Sequence, residues 1–532
     1  MIKKNKDNAV IITSYLLKKL GIKYTDYYLS KQLQTHPFYP SLAAVSDVFT
    51  SYSIESEALR VSYEDLLDLQ TPFIAHLNID NGFFIIVERA REDGIFFNSG
   101  EKILKHIKKE EFIKFWNNIV FQAIPSTKSE EPNFVKHRRK EQLEKIKIPA
   151  MVTFVLFSFL SCVLIKPAMV YLLPLFFAKM LGLFFAILLV MQELGYHSEI
   201  AAKLCTMSKS AGCNEVLKSK ASKLFSNVFL ADVGLIWFTT SALYLLFVAI
   251  ISTGMPALTL LGWLAVCSAP MILFSISYQI FIIKKYCPLC LGVMLALIIE
   301  IILFPVVYHF RFQLPHISEI LMMGTMLCIT AFIWFALKHL LIKNTSLQNS
   351  EIQYFHLRRK PHVIESQLME SDAADMSKLP TPIRLTDNDT NMTLTTVINL
   401  YCNPCKRAFE KIKYLLAEVC KDTVNVNVIL MCDTDDHDDV ITKTTLHFMA
   451  IAAQHPFDYT KAALFDWFDL KDYNVWSKKY PVSINNYHLT LLKSHVTWFN
   501  ENKLEGTPVF FLNNKKIPYS IDLEDLQYLI ND

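Results

Sequence analysis

The chain has almost no net charge: 53 Lys and Arg stand against 50 Asp and Glu over 532 residues. That balance argues against a nucleic-acid partner, because such binding leans on a basic surface that neutralises phosphates. Met1 to Leu20 lack both a continuous apolar run and a small-residue cleavage site. With Ile11, Ile12, Leu16 and Leu17 at helical spacing, that stretch predicts a soluble helix, not a secretory signal. No cysteine precedes Cys162, so no thiol nucleophile exists upstream of it. Internal repeats and low-complexity stretches are also lacking.

Apolar residues, by contrast, are abundant. They make up 52% of the chain, mean hydropathy is +0.27, and the excess is concentrated between Ile148 and Ile342. Spanning a bilayer takes about 20 predominantly apolar residues as helix. The candidates are Pro149 to Ile165, Ala168 to Met191, Val228 to Ser252, Pro256 to Ile283, Pro288 to Tyr308 and Ile320 to Leu341. Only Lys166-Pro167 separates the first two, which form either a tight hairpin or one broken segment. Lys179 and Asp232 fall within a few turns of span ends, which predicts snorkelling or interfacial placement. The loop from Gln192 to Asn227 is Lys- and Ser-rich, too polar to span, and is expected at a surface.

The flanks differ from this middle. Residues 1–126 read as a mixed α+β domain, with early helices, short strand-like runs at Phe83 to Glu88 and Ile95 to Asn98, and a closing helix over Glu110 to Ile119. A charged linker over 127–147 leads to the membrane domain at 148–342. A second linker covers 343–392, and an α/β domain covers 393–532. The basic run His137 to Lys140 favours a cytoplasmic N-terminus under the positive-inside tendency, which needs five spans. Six spans put the N-terminal module on the side of the C-terminal domain, and the Lys166-Pro167 break leaves apolar length enough for six.

Six of the eleven cysteines form three close pairs: Cys205 with Cys213, Cys287 with Cys290, and Cys402 with Cys405. In Leu400-Tyr401-Cys402-Asn403-Pro404-Cys405 an apolar strand runs into a Cys-x-x-Cys that opens a helix. The positive end of the helix dipole then stabilises the Cys402 thiolate, while Cys405 resolves mixed disulfides. Zinc would need two further ligands, and Cys420 and Cys432 lack paired spacing, so they read as packed thiols and no metal is expected. Cys287-Pro288-Leu289-Cys290 follows Lys284-Lys285-Tyr286 and opens an apolar helix at the bilayer interface, where a lipid-soluble oxidant can reach it. Cys162, Cys267 and Cys328 lie singly in apolar spans and read as core packing.

The Cys402–Cys405 motif and Gly506-Thr507-Pro508 ahead of the strand Val509 to Leu512 together resemble the thioredoxin fold. The resemblance implies that Pro508 is a cis proline lying against the cysteine pair. Cys205, Cys213 and the run Asn214 to Ser219, with the Cys-x-x-Cys two helices later, resemble the bacterial form of the vitamin K epoxide reductase family over about Ala168 to Leu341. That resemblance implies an all-α transmembrane bundle and a quinone, ubiquinone or menaquinone, bound near Cys287, Cys290 and Ser219. It further implies that Cys205 and Cys213 carry electrons from the thioredoxin-like domain. The segments Thr35 to Leu42, Glu57 to Val61, Pro72 to Leu77 and Asn81 to Ile85 resemble the papain-like C39 peptidases. Phe83 stands where a catalytic His is expected, Asn98-Ser99 where an Asp-Pro is expected, and the thiol is missing, so the domain reads as a dead protease, with His36 and His76 structural.

The resulting expectation is a multidomain membrane protein of the bacterial inner membrane with its redox domains facing the periplasm. It oxidises secreted or periplasmic protein thiols and delivers electrons to the membrane quinone pool. Two alternatives remain: a reductase running in the opposite direction, and a peptide maturation or export factor in which the N-terminal domain binds leader peptides.

Overall fold

In the computed structural model, all residues are described except 1–2, 5–7, 80–81, 101–103, 198, 206–215, 218, 220–222, 226–227, 252–257, 309–313, 417–422, 433–438 and 531–532. The chain divides into two compact units. One comprises residues 1–18, 23–28 and 133–350, and the other 19–22, 29–132 and 351–532.

After a short β1 (Lys3–Lys4), α1 (Asn8–Lys19) buries Ile12, Leu16 and Leu17 of the predicted stripe together with Ala9, Val10 and Thr13, while Ile11 is half-buried. Helices α2 (Asp26–Gln34), α3 (Leu42–Ser51), α4 (Tyr63–Leu67) and α5 (Lys109–Phe115) accompany a six-stranded antiparallel sheet. Its strands are β2 (Ile54–Arg60), β3 (Phe73–Leu77), β4 (Phe83–Arg91), β5 (Gly94–Asn98), β6 (Lys105–Lys108) and β7 (Trp116–Pro125), in the order β2-β7-β3-β4-β5-β6. The expected helix over Glu110 to Ile119 stops at Phe115. From Trp116 the chain becomes a strand, because Trp116, Val120 and Phe121 fill the slot between β2 and β3 and are buried there. Packing thus overrides local propensity.

The stretch read as a charged linker, 127–147, enters helix at Phe134, the first residue of α6 (Phe134–Ile165). The candidate span Pro149 to Ile165 is the C-terminal half of that helix; most of its side chains lie outside the described residues. Among the described residues five helices are long and apolar enough to cross a membrane: Val170–Glu193, Leu230–Ile251, Thr259–Ile283, Pro288–Val306 and Ile317–Arg358. They comprise α7 (Leu173–Glu193) with the 3-10 turn before it; then, beyond β8 (Tyr196–His197), α8 (Glu199–Cys205), β9 (Lys223–Phe225) and β10 (Val228–Phe229), α9 (Leu230–Ile251); then α10 (Thr259–Cys267) and α11 (Ala269–Ser277), continued by a π turn over Tyr278–Ile283; then α12 (Pro288–Val306) and α13 (Ile317–Arg358).

Tyr308, beyond the end of α12, donates its hydroxyl to the carbonyl of Tyr171 just ahead of α7, at 2.8 Å. The two helices therefore run antiparallel, and Cys287 lies at the Glu193 end of α7. Close approach is secured by glycine: a Cβ on Gly182 would fall 2.0 Å from the Phe238 ring, and one on Gly292 would fall 2.5 Å from the Phe185 ring. Small residues at crossings are how helices pack when lipid removes the hydrophobic drive.

Lys179 and Asp232 do not snorkel. Lys179 is fully buried and meets the equally buried Glu300 of α12 at 2.5 Å. Asp232 is fully buried and receives Lys338 of α13 at 2.5 Å. A charge at that depth requires a partner to offset its desolvation, and in each case the partner comes from a distant helix.

The stretch read as a linker over 343–392 is largely structured: α13 runs to Arg358, and in the second unit α14 (Pro361–Glu370) follows and β11 (Ile383–Arg384) joins a sheet. That sheet has the order β11-β13-β12-β14-β15. Its centre is β12 (Thr393–Ile398), parallel to β13 (Asn425–Leu430) and antiparallel to β14 (Val509–Leu512), which pairs with β15 (Lys515–Lys516). Around it pack α15 (Asn403–Tyr414), α16 (Val440–Gln454), α17 (Phe457–Leu470), α18 (Tyr473–Lys479), α19 (Asn486–Glu501) and α20 (Gln527–Ile530). The result is the thioredoxin-like α/β architecture expected for this region, with the helices α16 to α19 between β13 and β14.

Candidate functional site

The tail couple forms where β12 ends and α15 begins. Cys402 is the N-cap of α15, and its Sγ accepts the backbone N–H of Cys405 at 3.4 Å. This thiol also donates to the carbonyl of Thr507 at 3.4 Å, and Thr507-Pro508 is a cis peptide. Both thiols are free. Cys402 is half-buried and Cys405 fully buried.

Burial works to raise the Cys402 thiol, but the side chain and N–H of Cys405, Thr507 and the Lys471 ammonium outweigh it and hold the thiol below its ordinary value. Burial, then the neighbouring Cys402, push Cys405 up to about 12. One thiol is thus prepared to attack and the other to stay protonated until needed. The charge near Cys402 is oriented: Lys471, in the left-handed conformation that ends α17, donates to Asn403 Oδ1 at 2.9 Å. Sequence reading missed Lys471, which lies 68 residues from Asn403 in a helix terminus without a motif. Cys432 is buried near Thr442, consistent with packing, and Cys420 lies outside the described residues.

The membrane couple repeats this plan. Cys287 is the N-cap of α12, and its Sγ accepts the N–H of Cys290 at 3.3 Å. The Cys287 N–H is itself held by Gln279 Oε1 at 2.9 Å, and Gln279 is buried in the π turn that precedes the couple. Only the fold brings Gln279 there. Cys287 is buried, Cys290 half-buried, and both are free.

Cys205, the last residue of α8, is disulfide-bonded; Cys213 lies outside the described residues. One apolar cluster contains Cys287 and Leu289 with Leu188, Leu189, Val190, Ala201 and Val216, and packed against it are Cys205, Cys290 and Trp334. The loop cysteine and the membrane couple therefore share one core. Ser219 bonds its hydroxyl to the carbonyl of Val216 at 2.7 Å, which holds it beside that cluster. Cys267 and Cys328 are exposed on their helices, not packed in a core as the sequence suggested: in a membrane bundle the surface facing lipid is as apolar as the interior, so hydropathy does not separate the two.

The N-terminal domain assembles no nucleophilic site among the described residues. His36 is buried and pairs with Asp47 at 2.9 Å, His76 bonds Asn117, and Asn98 accepts the N–H of Gly100 at 2.7 Å. Phe83 begins β4 opposite Leu77.

Residues 173–305 match the Vitamin K epoxide reductase family, and residues 2–128 match the Peptidase C39 family. Among solved structures, the peptidase domain of Streptococcus ComA, a bi-functional ABC transporter involved in a quorum-sensing pathway, is 16% identical; the match covers 24% of this chain and 98% of that one, with a TM-score of 0.21. A periplasmic thioredoxin-like protein from Salmonella enterica serovar Typhimurium is 14% identical over 28% of this chain and 88% of its own, with a TM-score of 0.24. BdbD from Bacillus subtilis is 13% identical over 30% and 95%, with a TM-score of 0.24. No curated protein matches the chain. The family segment and the thioredoxin-like tail support a disulfide oxidoreductase at a membrane.

Proposed function

We propose that the protein oxidises substrate thiols through its tail and passes the electrons by way of the loop and membrane couples to a quinone. The observation that carries this reading is the shared cluster in which Cys205 packs with Cys287 and Cys290. A substrate thiolate attacks the Cys402–Cys405 disulfide, and a second substrate thiol resolves the mixed disulfide, leaving the tail as a dithiol. The tail dithiol then reduces the loop couple, Cys205 with Cys213, by the same two exchanges, and the loop couple reduces the Cys287–Cys290 disulfide. Each hand-over breaks one S–S bond and forms another, so two electrons move and no external oxidant enters until the end.

A quinone supplies the final sink, taking two electrons and two protons from the Cys287–Cys290 dithiol as its disulfide re-forms. The surroundings suit such a lipid-soluble acceptor: Phe281, Ile282, Tyr286 and Leu291, flanking the couple, are exposed apolar side chains, and Ser219 lies beside the same cluster. The ubiquinone or menaquinone headgroup would be held by Cys290, Ser219 and the start of α12. The setting we assign is a bacterial inner membrane with the redox face toward the periplasm.

The test is quinol formation by purified full-length protein supplied with a protein dithiol. Cys287→Ser should abolish it, and Cys205→Ser should remove the part driven through the tail. Quinol that instead drives reduction of a protein disulfide, with no forward reaction, would establish the reverse direction and sink this reading.

A second reading concerns the N-terminal domain. Thr35 and His36 of that domain contact His356 at the end of α13, Arg359 just after it and Tyr528 of the tail, so this segment is occupied by the chain's own residues. This favours a scaffold that seats the tail over a leader-peptide binder. Deleting residues 1–126 should then lower relay turnover with every substrate, whereas a recruiter would lower it for some substrates only.

A further inference from the structure

The loop that carries Cys205 leaves α7 after Glu193 and returns at α9, where Asp232 lies in the first turn. One ammonium holds both feet. Lys338 of α13 donates to Glu193 Oε1 at 2.9 Å and to Asp232 Oδ2 at 2.5 Å, and all three side chains are less than a tenth exposed. Asp232 is further fixed, since Oδ1 accepts the indole N–H of Trp334 at 2.9 Å and Oδ2 accepts the backbone N–H of Phe229 at 2.9 Å. The Phe229 ring lies under the Lys338 ammonium at 4.8 Å. Trp334, one turn before Lys338, packs on the cluster that contains Cys287 and against which Cys205 lies. Two turns beyond Lys338, Thr345 bonds the hydroxyl of Tyr196, the third residue of the loop after Glu193, at 2.8 Å.

A single face of α13 thus touches the departing strand of the loop, both of its feet and the core beneath its cysteine. Burying three ionised groups is expensive, and an apolar triad would close the bundle at less cost. A charged clamp differs from apolar packing in being directional, so it fixes where the two ends of the loop stand relative to α12.

We propose that Lys338 is a positioning residue of the relay, holding the Cys205 loop in register with Cys287. The inference rests on the oxidoreductase reading but is tested apart from turnover. In a Cys290→Ala parent, the Cys287 thiolate attacks the loop disulfide, releases one loop thiolate, and forms a mixed disulfide that Cys290 can no longer resolve; alkylating the released loop thiolate at quench keeps it from re-forming the loop disulfide. Non-reducing peptide mapping of the full-length protein reads the trapped fraction. Adding Lys338→Met should lower that fraction by about tenfold to a hundredfold, the usual cost of a misplacement of about 1 Å between reacting groups. Lys338→Arg should keep it within about threefold, because the charge remains.

Quinol formation driven by a small dithiol acting directly on the Cys287–Cys290 disulfide, measured in Cys205→Ser protein, should be unchanged by Lys338→Met; a merely structural role would lower it too. Should Lys338→Met fail to accumulate, Glu193→Gln removes only the arm to α7 and should still reduce the trapped fraction. A trap that forms in the parent and survives both substitutions overturns the inference and leaves the relay standing. A parent that never traps overturns the relay, and the role of Lys338 with it.

Discussion

Lys179 and Glu300 meet at 2.5 Å with neither side chain exposed, and the ammonium also lies 5.1 Å from the Trp237 ring. The second carboxylate oxygen of Glu300 is buried without a hydrogen-bond partner among the described residues. Removing one member of such a pair leaves the other charge buried, at a cost of about 3–5 kcal/mol, whereas replacing both with apolar residues is often neutral or stabilising. Glu300→Leu alone should therefore lower the thermal midpoint in detergent markedly, and Lys179→Met with Glu300→Leu should restore most of the loss. Equal destabilisation by the single and double variants would show that the pair contributes more than mutual neutralisation.

Cys405→Ala leaves Cys402 able to attack but unable to be released from within the tail. Because Cys402 is the half-exposed member and is held below its ordinary pKa, mixed disulfides with substrate proteins should accumulate through it, several-fold over the intact couple. Mass spectrometry of diagonal gels would identify them. Cys402→Ala should trap none, since Cys405 is buried and pushed up to about 12. Abundant adducts on Cys405 in that variant would reverse the assigned roles.

How much of this was readable beforehand follows from sequence distance. The Cys402 and Cys287 couples were legible because the capping thiol and its partner N–H are three residues apart, so a short motif contains the whole local geometry. The partner of Lys179 is 121 residues away, and Lys338 reaches across 145 residues to Glu193 and 106 to Asp232. No pattern in one chain links such residues, and proximity to a span end wrongly suggested snorkelling. Gln279 was hidden for another reason: it lies only 8 residues from Cys287, but no motif records that the π turn ending at the left-handed Lys284 brings its amide to that N–H. The misplaced end of α5 has a different origin, since Trp116 to Pro125 has neighbours on both sides only once β2 and β3 exist.

The tail thiols also set a pH dependence. Cys402 has its folded value depressed, so its contribution to the stability of the reduced tail is present above the ordinary thiol pKa and lost as pH falls through the folded value. Cys405 is shifted the other way, to about 12, and its contribution is present below the ordinary thiol value and lost as pH rises toward 12. Thiolate absorbance of the reduced protein should therefore show one group titrating below the usual thiol value of about 8.5, absent in Cys402→Ser. Lys471→Met should move that midpoint upward and slow attack by no more than about fivefold, as befits one surface-accessible charge. A midpoint unmoved by Lys471→Met would exclude the ammonium as a source of the shift.

The seat of the N-terminal domain depends on one buried carboxylate. Asp525, 1% exposed, accepts Arg358 and, at 2.8 Å, Nε of Arg359, while the same Arg359 guanidinium donates to Thr35 at 2.8 Å. Removing that carboxylate strands two guanidiniums, a loss of about 3–5 kcal/mol for a buried pair. Asp525→Ala should release Thr35 and His36, seen as faster amide exchange over residues 31–41 with the β12 core unchanged. These contacts also require both domains in one compartment, so reporters fused before Met1 and after Asp532 should respond alike. Opposite responses would mean an odd number of spans between them, as the five apolar helices alone would give, and would overturn the seat at Thr35 and Arg359.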